Sequence, residues 1–428
     1  MAKLSHSYLL IAFFCCFPGT LSHAAGAPAD GANWPTFHGN PHLTGSNPEE
    51  TTVNARNVSR LRLKWQGLMR KVVDFSSPAV VNGVLYIGST DGRLYAFKAN
   101  GCGASECNPL WTGQGQTGGN ITSSPSVAGG LVYVGSSTGE LLVFSATGCG
   151  SPHCAPVWTG MLAGGVIDSS PVVAGGIVFV GGFDGLLYAF DATGCGNATC
   201  APLWTGATQR RITSSPAVAS GVVYVGSNDG NLYAFAAAGC GSPACAPLWK
   251  GHTGGLIAAS PAVAGGVVYI GSFDDNLYAF PAAGCGTPSC SPIWKGITGA
   301  FIESSPAVAY GLVYVGGDDD LLHVFKAAGC GQPVCNPVWE GIATGTQAAV
   351  ISSPAVANGV VYYGENNGSV LAFYAKGCGK TVCSPLFTGL TTAEQIVSSS
   401  PVLVNGTLYV GSGNQLDVVH RGRIYVFQ

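Results

Sequence analysis

Short apolar runs, four to seven residues long and bounded by Gly, Asn, Asp or Pro, recur along most of the chain. The segment from Ile212 to Trp249 shows the unit. Ile212-Thr-Ser-Ser-Pro-Ala-Val218 predicts a first strand and Ala219-Ser-Gly221 a turn. Val222-Val-Tyr-Val225, β-branched and aromatic, predicts a second strand. Asn228-Asp-Gly230 is a tight hairpin signal, because Asp-Gly tolerates the positive φ angles of a type I′ turn. Leu232-Tyr-Ala-Phe235 follows as a third strand. After a loop from Cys240 to Cys245, Pro247-Leu248-Trp249 is expected to be a fourth.

This unit repeats. Ser-Ser-Pro ends at Pro78, Pro125, Pro171, Pro216, Pro306, Pro354 and Pro401, with Ala-Ser-Pro at Pro261, in steps of 47, 46, 45, 45, 45, 48 and 47 residues. A period of that length carrying four short strands is the signature of a propeller blade. The expected fold is therefore all-β: an eight-bladed β-propeller of four-stranded antiparallel blades. Trp111, Trp158, Trp204, Trp249, Trp294, Trp339 and Phe387 mark the fourth strand of seven blades. The eighth stops one strand short, at Tyr425-Val-Phe427, whereas Leu61-Arg-Leu-Lys-Trp65 precedes the first repeat without a partner. If that N-terminal strand completes the last blade, the ring closes with no open sheet edge. The expected organisation is a signal peptide at 1–24, a lead-in at 25–60 and the propeller at 61–428.

The N-terminus changes the picture of where the chain works. Lys3, the apolar run from Tyr8 to Phe17, and Ser22-His23-Ala24 read as a secretory signal cleaved near Ala24. The run stops at Pro18, short of the roughly 20 apolar residues a membrane span needs. Phe14 before Cys15 is too bulky for a lipoprotein signal. Cysteine usage agrees with export to a periplasmic or extracellular space. Beyond Cys15 and Cys16, fourteen cysteines form seven C-G-x-x-x-C pairs: Cys102/Cys107, Cys149/Cys154, Cys195/Cys200, Cys240/Cys245, Cys285/Cys290, Cys330/Cys335 and Cys378/Cys383. Their spacing also falls in the range of zinc knuckles, but each loop offers two thiolates and only one encloses a histidine, His153. Disulfides are expected, each worth about 2 kcal/mol by the loop-entropy model. Charge is sparse: 9% of residues, 18 basic against 21 acidic, net −3. That balance excludes the basic stripe of a nucleic-acid binder.

The repeated V-Y-V-G, L-Y-A-F-x-A, T-G and L-W, with the opening W-P-T-F-H-G-N-P-x-x-T-G from Trp34 to Gly45, resemble the repeats of pyrroloquinoline-quinone (PQQ)-type propellers, from about residue 34 to the C-terminus. The resemblance implies the propeller and a bacterial origin. It leaves two activities open, because that group includes quinoprotein alcohol dehydrogenases and the cofactor-free propeller lipoprotein of the outer-membrane barrel-assembly machinery. The dehydrogenases hold PQQ between a tryptophan and a disulfide of adjacent cysteines, with calcium on Glu and Asn and an Asp as base. Here the only adjacent cysteines are Cys15 and Cys16, and every tryptophan except Trp34 is a fourth-strand residue. The cysteine loop between T-G and L-W departs from the usual tight turn of the group.

Among candidate residues, Gly113-x-Gly115-x-x-Gly118 matches a dinucleotide fingerprint but leads into a strand rather than a helix. Asp318-Asp-Asp320 sits at a hairpin position and reads as a turn rather than a calcium loop. Asp168 and Glu303 lie three residues before the repeat proline, where other blades carry Phe75, Thr122, Thr213, Ala258, Ile351 and Ser398. They are expected to stand well apart around the ring, at a hydrated channel mouth. On the face opposite the cysteine loops the variable tips include Arg70, Lys71, Gln114, Gln116, Arg210, Arg211, His252 and Gln395, with Asp417, His420 and Arg421 in a longer loop of the last blade. Loops on a rigid scaffold carry recognition, and the Arg210-Arg211 pair suits a carboxylate-bearing ligand. The expected function is an exported, non-catalytic propeller without cofactor or metal that binds a protein or glycan. The alternatives are a PQQ- and calcium-dependent oxidoreductase and a structural envelope or matrix component.

Overall fold

The computed structural model describes residues 33–342, 349–391, 398–413 and 422–428. The expected signal peptide and the loop residues Gln395, Asp417, His420 and Arg421 lie outside the described residues. Eight sheets form the propeller, each of five strands rather than the four expected. Blade four is typical. Ala217–Ala219, Val222–Gly226, Asn231–Ala236 and Trp249–His252 run antiparallel from the channel outward. The fifth strand, Ser289–Cys290, comes from the cysteine hairpin of blade five and pairs in parallel with the outer strand.

The cysteine hairpins thus join one blade to the one before it. All seven expected disulfides are formed: Cys102–Cys107, Cys149–Cys154, Cys195–Cys200, Cys240–Cys245, Cys285–Cys290, Cys330–Cys335 and Cys378–Cys383, with Cα–Cα distances of 5.6–5.7 Å. Their setting differs from the sequence reading, which placed both cysteines of each pair in a free connecting loop. Cys107, Cys154, Cys200, Cys245, Cys290, Cys335 and Cys383 each end a two-residue strand instead. All seven are buried, because that strand is pressed against the outer strand of the preceding blade. The first cysteine of each pair stays exposed. The buried cysteines are therefore internal links of the scaffold.

The glycine before each first cysteine lies flat on the preceding blade's tryptophan. A Cβ on Gly194 would stand 2.9 Å from Trp158 Cδ1, and φ there is +83°, so both space and backbone call for glycine. Trp249 opens the outer strand, where the sequence pattern predicts that it ends one, because its indole must lie under that hairpin. Blade seven receives no hairpin. Its outer residue is Phe387, buried with Val58 and Leu61 of the lead-in, and its fifth strand is Ser46–Asn47 on the inner edge.

Closure follows the sequence reading. Leu63–Leu68 pairs antiparallel with Arg423–Phe427 to complete blade eight, and on its other side takes Glu106–Cys107 from the hairpin of blade one. The strand begins two residues later than the pattern indicates.

The Ser-Ser-Pro motif has a division of labour. The Oγ of the first serine accepts the N–H of the V-Y-V-G glycine in its own blade, as in Ser214 to Gly226 at 3.0 Å and Ser123 to Gly135 at 2.7 Å. The second serine links blades. The N–H of Ser77 donates to Ser124 Oγ, Ser124 to Ser170, Ser170 to Ser215, Ser215 to Ser260, Ser260 to Ser305, Ser305 to Ser353, Ser353 to Ser400, and Ser400 back to Ser77, all at 2.8–3.0 Å. The single Ala-Ser-Pro copy lacks the first serine, at Ala259, and keeps the second, Ser260.

The lead-in is part of the propeller rather than a segment before it. Residues 34–50 circle the channel and touch the inner strand of every blade in order. Trp34 exchanges two hydrogen bonds with Val80. The carbonyls of Pro35, Pro41, His42, Thr44 and Gly45 accept from Val127, Val218, Val263, Val308 and Val356. Thr36 reaches the carbonyl of Pro171, and the Asn47 amide that of Leu403. Each of these valines, from Val127 to Val356, lies two residues after a repeat proline and would otherwise present an unpaired edge N–H.

Two outcomes test this account. Ser215→Ala leaves the buried N–H of Ser170 without its acceptor and should cost about 1–3 kcal/mol in denaturant unfolding. Deleting residues 33–66 should expose both the edge of Arg423–Phe427 and the inner edges. Aggregation or early melting in light scattering is expected, and a monomer of unchanged Tm would refute it.

Candidate binding site

The inner strands leave a well of about 360 Å³ along the axis. Phe37 of the encircling segment contributes to its floor, and seven of the linking serines line its lower wall. His38 beside Phe37 is buried, and burial pushes its pKa down to about 4, so at neutral pH the ring is uncharged and donates from Nδ1 to the Leu43 carbonyl. The upper wall is the ring of residues three before each repeat proline, from Phe75 and Thr122 through Ile351 to Ser398. Asp168 and Glu303 therefore face one cavity, although they belong to blades three and six. They stand three blades apart around the ring, as expected, and both line the same well.

Arg211 also lines the well, whereas Arg210 does not. The Arg211 guanidinium lies 5.5 Å over the Phe183 ring. Its Nε donates at 2.7 Å to Asn228, whose amide in that orientation donates to the Ile257 carbonyl at 3.0 Å. No ion pair joins Arg211 to Asp168 or Glu303 among the described residues. Phe273, on the wall, stacks with half-exposed Phe301 at 5.4 Å.

The residues that sequence reasoning passed over are Asp74 and the role of Phe75. In blades two to seven the position four before the proline is a buried aliphatic: Ile121, Ile167, Ile212, Ile257, Ile302 and Val350. Ile167, for example, fills the space over Gly135 of the preceding blade, where a Cβ would come within 2.3 Å of Ile167 Cγ2. In blade one that slot over Gly411 is filled by Val73, one residue earlier. Blade one therefore carries one inserted residue between the slot and Ser76. The insertion is absorbed by a tight turn in which the Ser76 N–H donates to the Asp74 carbonyl at 2.8 Å and Phe75 has φ +60°. A bulky residue at that angle is rare and strained. Phe75 is 52% exposed, so no core burial compensates. Aligning Asp74 with the isoleucines would have revealed the insertion.

The carboxyls of this site are held uneasily. Burial, then repulsion from Asp168, raises Asp74 to about 6 against a hydrogen bond from Ser398 that lowers it. Burial and Asp318 raise Glu303, and burial with Asp319 and Asp320 raises Asp318. Asp168 accepts from Thr122 Oγ1 at 2.8 Å. The Asp318-Asp-Asp320 segment is a turn, as read: Asp319 accepts from the buried His323, and Asp320 takes the positive φ, +69°. Among the described residues no group of three His, Cys, Asp or Glu side chains is placed to share a metal ion.

Comparison with known proteins gives the family. The model described as outer membrane protein assembly factor BamB, a PQQ-type repeat family, matches residues 152–241 and 243–423. The chain belongs to this family. No curated protein matches the sequence. Among solved structures, BamB from Moraxella catarrhalis is 18% identical with a TM-score of 0.64, covering 86% of this chain and 99% of its own. Quinohemoprotein alcohol dehydrogenase from Comamonas testosteroni is 16% identical with a TM-score of 0.68, covering 92% and 80%. A europium-containing methanol dehydrogenase is 13% identical with a TM-score of 0.70, covering 92% and 98%. Identities this low establish a shared propeller fold, common to an assembly factor and to dehydrogenases. The disulfides of this family member belong to an oxidising compartment.

The well fits PQQ poorly. The cofactor carries three carboxylates, and among the described residues Arg211 is the one cation lining the well, which Asp168 and Glu303 also line. No tryptophan lines the well, and all seven disulfides lie on the hairpins. A flat anionic quinone would meet neither its charge nor its stacking partner there.

The raised Asp74 predicts a pH dependence. Its folded value lies above the ordinary 3.8, so the folded state holds the proton more tightly, and ionisation costs stability fully above about pH 6. Asp74→Asn should therefore melt higher than the parent protein at pH 7.5, and the difference should vanish below about pH 4. Equal melting temperatures across that range would show that the carboxyl is not strained.

Proposed function

We propose that this family member is an exported, non-catalytic binding propeller that takes part of a protein or glycan ligand into the axial well, on the face away from the disulfide hairpins. The observation that carries the reading is the contrast between the two ends of the well. The serine ring repeats one solution in every blade, and the encircling segment meets each inner strand in turn. The upper wall differs from blade to blade and holds Asp168, Glu303, Arg211 and Phe75, with the inserted Asp74 beside it. A scaffold does not require such variation, whereas recognition does. A periplasmic or extracellular location accords with the disulfides and with the signal read at 1–24.

The oxidoreductase reading draws on two carboxylates in one well and on the dehydrogenases among the structural relatives. The charge of the wall weighs against it, as does the lack of a tryptophan there. A purely structural role leaves the positive φ of the exposed Phe75 unexplained. The deciding experiment titrates the disulfide-intact protein with PQQ and calcium, following quenching of tryptophan fluorescence and alcohol-dependent dye reduction. No saturable quenching and no reduction are expected. Stoichiometric PQQ binding with alcohol-dependent turnover would overturn the proposal.

A further inference from the structure

A second cavity, of about 480 Å³, opens at the seam between blades eight and one and shares no lining residue with the axial well. Sheet register places its side chains. In blade one, Tyr95 of the third strand pairs with Thr112 of the outer strand, and Thr112 with His153 of the hairpin from blade two. The three therefore stand in a row on one face, and Arg93, two residues before Tyr95, shares that face. Blade eight supplies the other side with Leu68, Met69 and Arg70, and the Arg70 N–H donates to the Tyr95 hydroxyl at 3.1 Å. Two arginines and a histidine, from three blades, thus line one cleft in a chain with only 18 Lys and Arg among 428 residues.

The neighbouring seams show that the scaffold does not ask for this. Five residues after the outer-strand tryptophan, where blade eight has Arg70, the next five blades carry Gln116, Ala163, Gln209, Gly254 and Gly299. Blade eight repeats Arg93 with Arg423, but there the hairpin residue equivalent to His153 is Glu106, and the two form an ion pair at 2.8 Å. In blade one the acid is replaced by an imidazole. Arg93 is left with Gln114, to which its Nε donates at 3.3 Å, and with the Asp91 carboxylate at 3.8 Å, which already accepts the Tyr95 hydroxyl at 2.6 Å. Arg70 is exposed and forms no side-chain hydrogen bond or ion pair among the described residues. His153 Nδ1 pairs with the Thr112 hydroxyl at 2.9 Å, which leaves Nε2 for another partner.

Donors of positive or neutral charge therefore reach the cleft from three separate elements. A carboxylate offers two oxygens in one plane. A phosphomonoester offers three in a tetrahedral arrangement and carries about −1.5 to −2 charges at neutral pH, which suits two guanidiniums better. Leu68, Met69 and Pro109 beside them would take the carbon body that bears the phosphate. We infer that this seam binds a phosphomonoester group, with Arg70 and Arg93 as its cationic partners and His153 as a third donor. The site is independent of the axial well and of what the well binds.

Isothermal titration calorimetry on the disulfide-intact protein at pH 7 and low salt tests it. Glucose 6-phosphate is the soluble source of the group, glucose the uncharged control and glucuronate the carboxylate one. Sedimentation with phosphatidylcholine vesicles, with and without phosphatidic acid, tests a lipid-borne source. Saturable one-to-one binding is expected for glucose 6-phosphate, at least tenfold tighter than for glucuronate, with none for glucose. Arg70→Gln, which loses no partner in the free protein, should weaken binding at least tenfold with an unchanged Tm. His153→Glu restores the acid of the blade-eight seam, so it should abolish binding without lowering Tm, a pairing that a merely structural histidine would not give. Arg56→Gln removes an exposed charge of the lead-in and should bind like the parent. Binding confined to the phosphatidic acid vesicles and lost in Arg70→Gln would support the same group on a lipid head. Equal or tighter binding of glucose or glucuronate would overturn the inference. So would phosphate binding indifferent to Arg70→Gln and His153→Glu, or failure of both phosphate sources.

Discussion

Eight backbone N–H groups, one from the second serine of each blade, point across blade boundaries at the axis, and each finds the hydroxyl of the next blade's equivalent serine. The inner strands are only three residues long, so the segments leading into them have no sheet partner and would bury unpaired donors. The serine chain solves that problem once per blade, at about 1 kcal/mol per bond. Because it closes on itself, it also fixes the number of blades and the spacing of everything mounted above it. The residue two before each linking serine, from Thr122 to Ser398, rides directly on this ring. The width of the well is thus a consequence of a hydrogen-bond repeat.

The rest of the architecture answers the same question of edges at larger radius. The inner edge of each sheet is covered by the encircling segment at residues 34–50, whose carbonyls meet the inner valines. The outer edge is covered by the next blade's cysteine hairpin, or in blade seven by Val58 and Leu61. Each disulfide closes a short loop, worth about 2 kcal/mol by the loop-entropy model. It also holds a two-residue strand in shape for pairing with its neighbour, with the second cysteine buried in the seam and the first left at the surface. Two residues could not keep that register unaided. The cross-links are therefore local in sequence and act between blades.

Much of this was legible because a repeat displays its own rules. The serine period gave the blade count, the missing eighth outer strand gave the closure, and the cysteine spacing gave the disulfides. Three features were not legible, each because it depends on a partner in another blade. The fifth strand, and with it the burial of Cys154 and its six equivalents, needs the hairpin of one blade beside the outer strand of another. The course of Trp34 to Glu50 is set by edge valines up to several hundred residues away. Asp168 and Glu303 lie three periods apart, and only closure of the ring puts both on the wall of one well. Asp74 is different. Its position relative to Ile121 and Ile212 records the insertion in the sequence itself, and reading it requires aligning the slot over the glycine rather than the proline.

A closed ring with every edge covered has little freedom to adjust locally, and this explains where the unfavourable features sit. The sheets, the serine chain and the hairpins repeat with nearly uniform geometry, so strain introduced there would be multiplied or would break the closure. The residues above the serine ring are bounded on one side by solvent and can carry an inserted residue, a phenylalanine at φ +60° and a carboxyl pushed up to about 6 without disturbing the blades below. The same rigidity prevents these groups from relaxing. The inserted turn is tied to the blade, because the Ser76 N–H closes it on the Asp74 carbonyl and the Ser76 hydroxyl holds the N–H of Gly88. In this propeller the serine ring both closes the fold and sets the wall on which the variable residues stand.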